Sequence, residues 1–238
     1  MGWSTLEIEK TEGVARLWLN RPATRNAFTA EMIAEIAAAM AELGADAAVR
    51  AVALGGRGAA FCAGADLSWM REAAGWDAEE NRADAARLAA MLRAIAECPK
   101  PVVARVHGPA FGGGVGLACA ADVCLAGPQA LFSLSEVRLG LLPATIAPYV
   151  LRAMGPRQAG RYWLTAERFG AAEAARIGVA HAAFEDDAAL DAGVERALGH
   201  LKEGAPGAIA ATKALIALAS DRPNTLELDA ETAARIAA

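Results

Sequence analysis

The sequence has few of the residues on which disulfide frameworks, metal sites and membrane spans depend. Of its 238 residues only three are histidines and four are cysteines, and aromatic residues make up 5%. No run of about 18 apolar residues occurs, and the first ten residues carry charges instead of an apolar signal segment. The cysteines form no C-x-x-C pair, which predicts reduced core thiols at Cys62, Cys98, Cys119 and Cys124. We therefore expect no metal, no membrane association and a cytoplasmic location.

An excess of positive charge is also missing. The formal net charge is -5 and the isoelectric point about 5.3, so the chain lacks the basic surface by which proteins bind nucleic acid. Hydrophobic residues make up 55% of the chain, which is enough for one well-buried core. No polar linker separates two hydrophobic blocks. These features predict one large domain.

Short β-type runs alternate with stretches whose apolar residues recur at helical spacing. In the clearest helix, Thr29 is the predicted N-cap and Gly44 the predicted end. Strands are predicted at residues 14–19, 49–54, 101–106, 122–126 and 179–184, and further helices at residues 82–97, 143–154, 171–177, 208–220 and 225–238. The alternation predicts an α/β fold. Because the last helix still continues at Ala238, we expect further native residues or a partner subunit there.

Two glycine-containing segments lie where a predicted strand gives way to a helix, at residues 61–67 (FCAGADL) and 108–117 (GPAFGGGVGL). Three consecutive glycines at a helix start let a ligand approach the main chain closely. The free N–H groups and the helix dipole there favour negative charge. Such a turn can form an oxyanion hole, although the glycines alone also fit a packing turn or a phosphate-binding turn.

Four segments, at residues 21–28, 61–67, 112–117 and 135–143, together resemble the enoyl-CoA hydratase/isomerase (crotonase) family in their order and spacing. The resemblance implies an α/β fold with a crotonase-type spiral of β-β-α units in residues 1–195. A C-terminal helical region for trimerisation is implied in residues 196–238. The resemblance also implies an acyl-CoA thioester as ligand, with coenzyme A as part of the substrate and no separate cofactor, and a homotrimer or dimer of trimers.

The same resemblance assigns roles to main-chain groups. The N–H groups of Ala65 and Gly113 are expected to form an oxyanion hole, in which each donor is typically worth about 2.7 to 4 kcal/mol. Coenzyme A contacts are expected from Arg25, Ala27, Ala63, Ala65, Asp66 and Leu67. Arg25 has the alternative role of a solvated surface side chain. Asp66 has the alternative role of stabilising its own turn.

Glu136 matches the family's catalytic acid and base; without the resemblance it is an ordinary surface glutamate. A carboxyl group among apolar neighbours can exchange protons near pH 7. Family hydratases with two catalytic glutamates carry the first at the position of Gly116, so this chain retains one of the pair. Hydration then requires water placed by Glu136 or by backbone groups around Gly116, which is kept as a catalytic position for that reason.

Three functions remain open from the sequence. Residues 61–70 and 131–154 look most like bacterial methylglutaconyl-CoA hydratases, which favours an acyl-CoA lyase that hydrates a 3-methylglutaconyl-CoA-like substrate in leucine or fatty acid breakdown. The missing glutamate fits an enoyl-CoA delta-isomerase with Glu136 as sole proton shuttle. A non-catalytic acyl-CoA-binding subunit is the third possibility.

Other side chains have two interpretations each. His107 either braces the glycine turn or transfers protons. Trp69, Met70 and Trp76 either line an acyl pocket or pack in the core or at an interface. Arg138 and Arg152 either bind a distal substrate carboxylate or form surface pairs.

Overall fold

The computed structural model describes residues 2–220, which form nine strands and eight α-helices; the helix predicted at residues 225–238 lies outside them. The strands are β1 (Leu6–Thr11), β2 (Val14–Leu19), β3 (Ala51–Gly56), β4 (Val102–Val106), β5 (Ala110–Phe111), β6 (Val123–Ala126), β7 (Leu131–Ser133), β8 (Phe169–Gly170) and β9 (Ala182–Ala183). The helices are α1 (Ala30–Ala45), α2 (Leu67–Ala73), α3 (Ala78–Ala96), α4 (Gly113–Ala120), α5 (Ala147–Thr165), α6 (Ala171–Arg176), α7 (Asp187–Glu203) and α8 (Pro206–Ser220).

The main sheet has the strand order β1-β2-β3-β4-β6-β9. Its strands run parallel except β1, which pairs antiparallel with β2 at one edge. β3 is buried along its whole length, as expected for a parallel strand covered on both faces. One face packs on the large core that includes α1 and α3, and the other packs on α7. The predicted α/β class is confirmed.

Successive turns of the chain each add a strand to the main sheet and a short segment to a second sheet before a helix follows. After β3, Cys62 forms a bridge to Ala110; after β4 come β5 and α4; after β6 come β7 and α5. β5 is parallel to β7, and β7 is antiparallel to β8. This repeat is the predicted spiral of β-β-α units. It places the segments that follow β3, β4 and β6 next to one another.

The sequence at α1 explains its start but not its end. Thr29 Oγ1 accepts a hydrogen bond from Met32 N–H, which confirms the predicted N-cap. The predicted end at Gly44 is wrong, because the helix continues through it to Ala45. A Cβ on Gly44 would lie 3.2 Å from the side chain of Pro99. The glycine therefore allows close packing instead of ending the helix.

Several predicted boundaries need correction. α3 begins at Ala78 instead of residue 82, because Asp77 and Glu80 form a capping box. The helix predicted at residues 143–154 is the first part of α5 and starts later, at Ala147. Its predicted end is confirmed, because Gly155 interrupts the helix with a φ of 70° and a ψ of 164° before a second helical part continues to Thr165. The strand predicted at residues 179–184 is reduced to the two residues of β9. β1, α2 and α7 are missing from the sequence prediction, because charged residues interrupt their apolar patterns.

The last described helices adjoin the main body of the fold. The predicted domain boundary at residue 195 falls within α7, whose Leu190, Val194 and Leu198 pack on the main sheet. All four cysteines have free thiols in the structure; Cys62, Cys98 and Cys124 are buried, and Cys119 is partly exposed. Burial raises the pKa of the Cys62 thiol to about 12, so this residue is an inert part of the core.

Candidate active site

Backbone segments distant in sequence are joined next to the two glycine turns. Phe28 N–H donates a hydrogen bond to Gly64 O at 2.7 Å. In the second glycine turn, Gly112 N–H donates a hydrogen bond to Ser133 O at 2.9 Å. Together with the bridge between residues 62 and 110, these bonds fix both turns relative to the segment that follows β7.

The joined segments border a pocket of about 320 Å³. Among residues 2–220, Glu136 is the only acidic side chain that lines this pocket, and no basic side chain lines it. Leu67 and Leu142 are exposed at its border. An apolar pocket with few polar groups is typical of a small-molecule site. The apolar side chains of its lining are Phe28, Leu67, Trp69, Met70, Leu88, Phe111, Leu139, Leu141, Leu142, Pro143 and Ile146.

Ala65 and Gly113 both line the pocket, and neither N–H group donates to a backbone carbonyl of residues 2–220. Gly113 is the first residue of α4, where N–H groups lack an acceptor in the preceding turn and the helix dipole favours negative charge. Ala65 follows Gly64, which has a φ of 88°. A Cβ on Gly64 would lie 3.9 Å from Gly113 N, so the two turns are in contact. The structure thus brings both predicted oxyanion-hole residues to one pocket.

The Glu136 carboxyl group lies against the start of α4. β7 ends at Ser133, and a short 3-10 helix begins at Glu136, whose Oε1 is 3.0 Å from the position that a Cβ on Gly112 would take. Its buried Oε2 has no hydrogen-bond partner among the residues that the structure describes. Burial raises the pKa of this carboxyl above its ordinary value of 4.5. A desolvated, unpaired carboxyl group is well suited to take up and release a proton.

Gly116 does not reach the pocket surface. It is buried, and a Cβ at this position would lie 2.3 Å from Ile146 Cγ2. Its N–H group already donates to Gly112 O at 3.2 Å. Of the two suggested ways to place a water molecule, this packing favours Glu136 over backbone groups around Gly116. Ile146, which lines the pocket, covers the position instead.

The residues predicted to contact coenzyme A fall into two groups. Ala63, Ala65 and Leu67 line the pocket. Arg25 is exposed beside it with a φ of 54°, and its carbonyl oxygen accepts a hydrogen bond from Ala63 N–H. Ala27 is buried outside the lining.

Asp66 has a structural role. Its carboxylate accepts hydrogen bonds from Ser68 N–H at 3.0 Å and from the Arg21 guanidinium at 3.1 Å, and it is the N-cap of α2. The Ser68 and Arg21 contacts hold its pKa below the ordinary value. This arrangement matches the alternative of a turn-stabilising side chain, because the carboxylate is already occupied.

Sequence reasoning missed Asn26 as a determinant of the site. Its fully buried amide donates to the carbonyl oxygens of Arg57 and Ala60 at 2.9 Å, and its Oδ1 accepts from Arg21 N–H at 2.9 Å. These bonds tie the segment before Phe28 to the turn after β3. A lone asparagine within an apolar motif was the available signal, since buried amides are hydrogen-bonded.

The remaining candidate residues differ in whether they line the pocket that contains Glu136. Trp69 and Met70 line the pocket, whereas Trp76 lines a separate cavity. The His107 ring lies 2.9 Å from Gly58 O through Nε2, which fits a brace for the neighbouring loop. Arg138 donates to Thr165 O, and Arg152 lines a different cavity. Neither arginine borders the pocket that contains Glu136.

Comparison with known proteins agrees with this geometry. The sequence model described as enoyl-CoA hydratase/isomerase matches residues 9–235. The chain belongs to the enoyl-CoA hydratase/isomerase family. The enoyl-CoA hydratase ACTT6 of Alternaria alternata is 36% identical over 213 residues, which cover 88% of this chain and 68% of that protein. Members of this family bind acyl-CoA thioesters.

Solved structures of family members confirm the crotonase-type fold. An enoyl-CoA hydratase from Shewanella pealeana superimposes with a TM-score of 0.95 at 39% identity, covering 99% of this chain and 88% of that one. Pseudomonas aeruginosa AtuE superimposes with a TM-score of 0.93 at 42% identity, covering 98% and 90%. No helix within residues 2–220 combines the length and apolar character that crossing a membrane requires.

Proposed function

We propose that the protein transfers a proton at the α-carbon of an acyl-CoA thioester, with Glu136 as acid and base and the N–H groups of Ala65 and Gly113 as oxyanion hole. The observation that carries the proposal is the buried Glu136 oxygen, which has no hydrogen-bond partner within residues 2–220, in the pocket that both N–H groups border. Two amide donors at the thioester oxygen stabilise an enolate, which makes the α-proton acidic enough for a carboxylate to remove. The step needs only these groups and the substrate.

Hydration of a 2-enoyl-CoA is the reaction that we favour, and the names of the relatives support it. Glu136 takes a proton from water while the water oxygen bonds to the β-carbon. The electrons of the double bond move to the thioester oxygen as an enolate, and Glu136 returns the proton to the α-carbon. Because one carboxyl group serves both carbons, the hydroxyl group and the proton add to the same face.

The acyl end of the proposed substrate is apolar. Trp69, Met70 and Leu88 line the pocket, and no basic side chain among the described residues does so. A 3-methylglutaconyl group ends in a carboxylate, which needs a charged partner or several hydrogen bonds when it is buried. Within residues 2–220, only Ser135 and Thr145 contribute hydroxyl groups to the lining. We therefore favour a crotonyl-like chain over a 3-methylglutaconyl chain.

Isomerisation between 3-enoyl-CoA and 2-enoyl-CoA is the second candidate. It is favoured because Glu136 is the sole acidic side chain lining the pocket within residues 2–220. Gly116 has no side chain to add a second one, and Ile146 packs over it. In this reaction Glu136 removes a proton from the α-carbon of the 3-enoyl-CoA and delivers it to the γ-carbon. Water takes no part.

A direct assay separates these reactions. Purified protein is mixed with crotonyl-CoA and, separately, with a 3-enoyl-CoA, and the absorbance of the conjugated enoyl thioester is followed. Loss of the signal from crotonyl-CoA indicates hydration, and a gain from the 3-enoyl-CoA indicates isomerisation. If neither substrate is converted, and 3-methylglutaconyl-CoA is not converted either, the proposal is contradicted and a non-catalytic acyl-CoA-binding subunit is favoured.

The coenzyme A moiety is proposed to contact the main chain at Ala63, Ala65 and Leu67, with the exposed Arg25 near a phosphate group. Arg25→Ala should then raise KM for the CoA thioester while kcat changes little. Assembly as a homotrimer or dimer of trimers stays a prediction, which light scattering of the purified protein will test.

A further inference from the structure

Two hydroxyl groups belong to the lining of the pocket that contains Glu136. Within residues 2–220 they come from Ser135, which directly precedes Glu136, and from Thr145, which directly precedes the N-cap of α5. Neither hydroxyl group donates a hydrogen bond to another group of the described chain. Ser135 is the N-cap of the short 3-10 helix, yet its side chain makes no capping hydrogen bond. Both hydroxyl groups are therefore available to a molecule in the pocket.

The first turn of α4 relates the position of Thr145 to the Glu136 carboxyl group. Glu136 Oε1 is 3.0 Å from the place of a Cβ on Gly112, and Ile146 Cγ2 is 2.3 Å from the place of a Cβ on Gly116. Gly116 N–H donates to Gly112 O, so the two glycines are about one helical turn or 5.4 Å apart along the axis. Thr145 precedes Ile146, and consecutive Cα atoms are about 3.8 Å apart. Thr145 therefore borders the same part of the pocket as the carboxyl group.

Hydration requires a water molecule that is held at the β-carbon, and Glu136 alone is not sufficient to hold it. A bound water molecule typically has two to four polar partners. Glu136 accepts one proton of the water, and no basic side chain of residues 2–220 lines the pocket. The indole N–H group of Trp69 can only donate, whereas a hydroxyl group can both donate and accept. The second proton of the water therefore needs a hydroxyl group as its acceptor.

We propose that the hydroxyl groups of Ser135 and Thr145 hold the attacking water beside Glu136. This inference rests on the proposed function, the hydration of an enoyl-CoA with Glu136 as acid and base. One hydroxyl group donates to the water oxygen, and the other accepts the proton that Glu136 does not take. The remaining lone pair of the water oxygen is then free to bond to the β-carbon. Glu136 removes one water proton and returns it to the α-carbon, so neither hydroxyl group gains or loses a proton.

The first test removes the hydroxyl groups with little change in shape. Thr145→Val and Ser135→Ala should each lower kcat for crotonyl-CoA hydration roughly tenfold, the effect of one lost hydrogen bond to the attacking water. The double variant should lose roughly 100-fold, a typical consequence of a misplaced reactant. Thr145→Ser retains the hydroxyl group and should stay within about threefold of the wild type. A double variant that hydrates at the wild-type rate, or equal losses in Thr145→Ser and Thr145→Val, overturns the inference.

A second measurement separates the placement of water from support of Glu136 or of the fold. Exchange of the α-proton of butyryl-CoA in D2O needs Glu136 and the oxyanion hole but adds no water to the substrate. The double variant of Ser135 and Thr145 should therefore exchange this proton within about threefold of the wild-type rate. If exchange falls as far as hydration, the hydroxyl groups do not act through the water and the inference is overturned.

The wild type distinguishes failure of this inference from failure of the proposed function. If the wild type exchanges no α-proton of butyryl-CoA, the proposed function of Glu136 fails. If it exchanges the proton and isomerises a 3-enoyl-CoA but does not hydrate crotonyl-CoA, only the placement of water by Ser135 and Thr145 is contradicted.

Discussion

The carboxyl groups of Asp122 and Glu136 both lose much of their hydration on folding, yet their hydrogen bonding differs. Asp122 accepts hydrogen bonds from Val102 N–H at 2.7 Å and from Lys213 Nζ at 2.6 Å, in a cavity separate from the pocket. Glu136 has an oxygen with no partner within residues 2–220. Burial raises the pKa of both groups, but at Asp122 the charge of Lys213 opposes the shift.

The comparison separates a structural carboxylate from a reactive one. Buried polar groups are normally satisfied, and Asp122 follows this rule by joining β4 to α8 through Lys213. An unsatisfied group costs stability, and such a cost is commonly found where a functional group must meet a ligand. Burial alone would not distinguish the two residues, whereas the missing partner does.

The largest expected effect is on turnover. Glu136→Gln keeps the shape of the side chain but cannot act as a base, and we expect kcat to fall by about 10² to 10⁴ while the CoA thioester still binds. Asp122→Asn, the matched change in the other cavity, should leave kcat within about tenfold at a temperature where it is folded. Steady-state kinetics with crotonyl-CoA measure both. Equal losses of kcat in the two variants would contradict the distinction between a reactive Glu136 and a structural Asp122.

A smaller effect is expected from the turn that presents Ala65 N–H. Gly64→Ala adds a Cβ 2.8 Å from Phe111 O at a φ of 88°, so the turn must shift and the N–H group with it. Loss of one oxyanion-hole donor typically lowers kcat about 10² to 10³-fold. Gly155→Ala is the control, because its φ is 70° but a Cβ there meets nothing within 4 Å. If both variants lose the same activity, backbone strain explains the loss.

The smallest effect concerns stability and its pH dependence. The raised pKa of Glu136 means that the native state binds a proton more tightly than the unfolded state. The free energy of unfolding contributed by this group therefore falls as pH rises from about 4.5 through the raised pKa. Glu136→Gln removes this loss and should unfold at a higher temperature than wild type at pH 7, with the advantage shrinking toward pH 4.

Asp122→Asn should gain less stability at pH 7, because the burial that raises the pKa of Asp122 is opposed there by the charge of Lys213. The change also leaves the Lys213 ammonium group without its charged partner, and a hydrogen bond to a charged group is typically worth about 1.5 to 3 kcal/mol. Thermal unfolding of both variants from pH 4 to pH 8 provides the comparison. A larger gain for Asp122→Asn than for Glu136→Gln at neutral pH would show that the two carboxyl groups have been assigned the wrong roles.

Much of this site could be predicted from the sequence, because glycine turns and motif order are local signals. The class of the fold follows from the local strand and helix signals, whereas the spiral and the convergence of Ala65, Gly113 and Glu136 on one pocket are what the resemblance of the four motifs to the enoyl-CoA hydratase/isomerase family implies. The contact between Gly116 and Ile146 could not be predicted, since it joins residues thirty positions apart through tertiary packing. The hydrogen-bonded ion pair between Asp66 and Arg21 was missed for the same reason.

The central claim is that Glu136 removes the α-proton of a thioester held by Ala65 and Gly113, and exchange of that proton tests it most directly. Butyryl-CoA, which can be neither hydrated nor isomerised, is incubated with the protein in D2O and its α-proton signal is followed by NMR. The account predicts exchange with the wild type and none above background with Glu136→Gln. Equal exchange rates for the two proteins would contradict it.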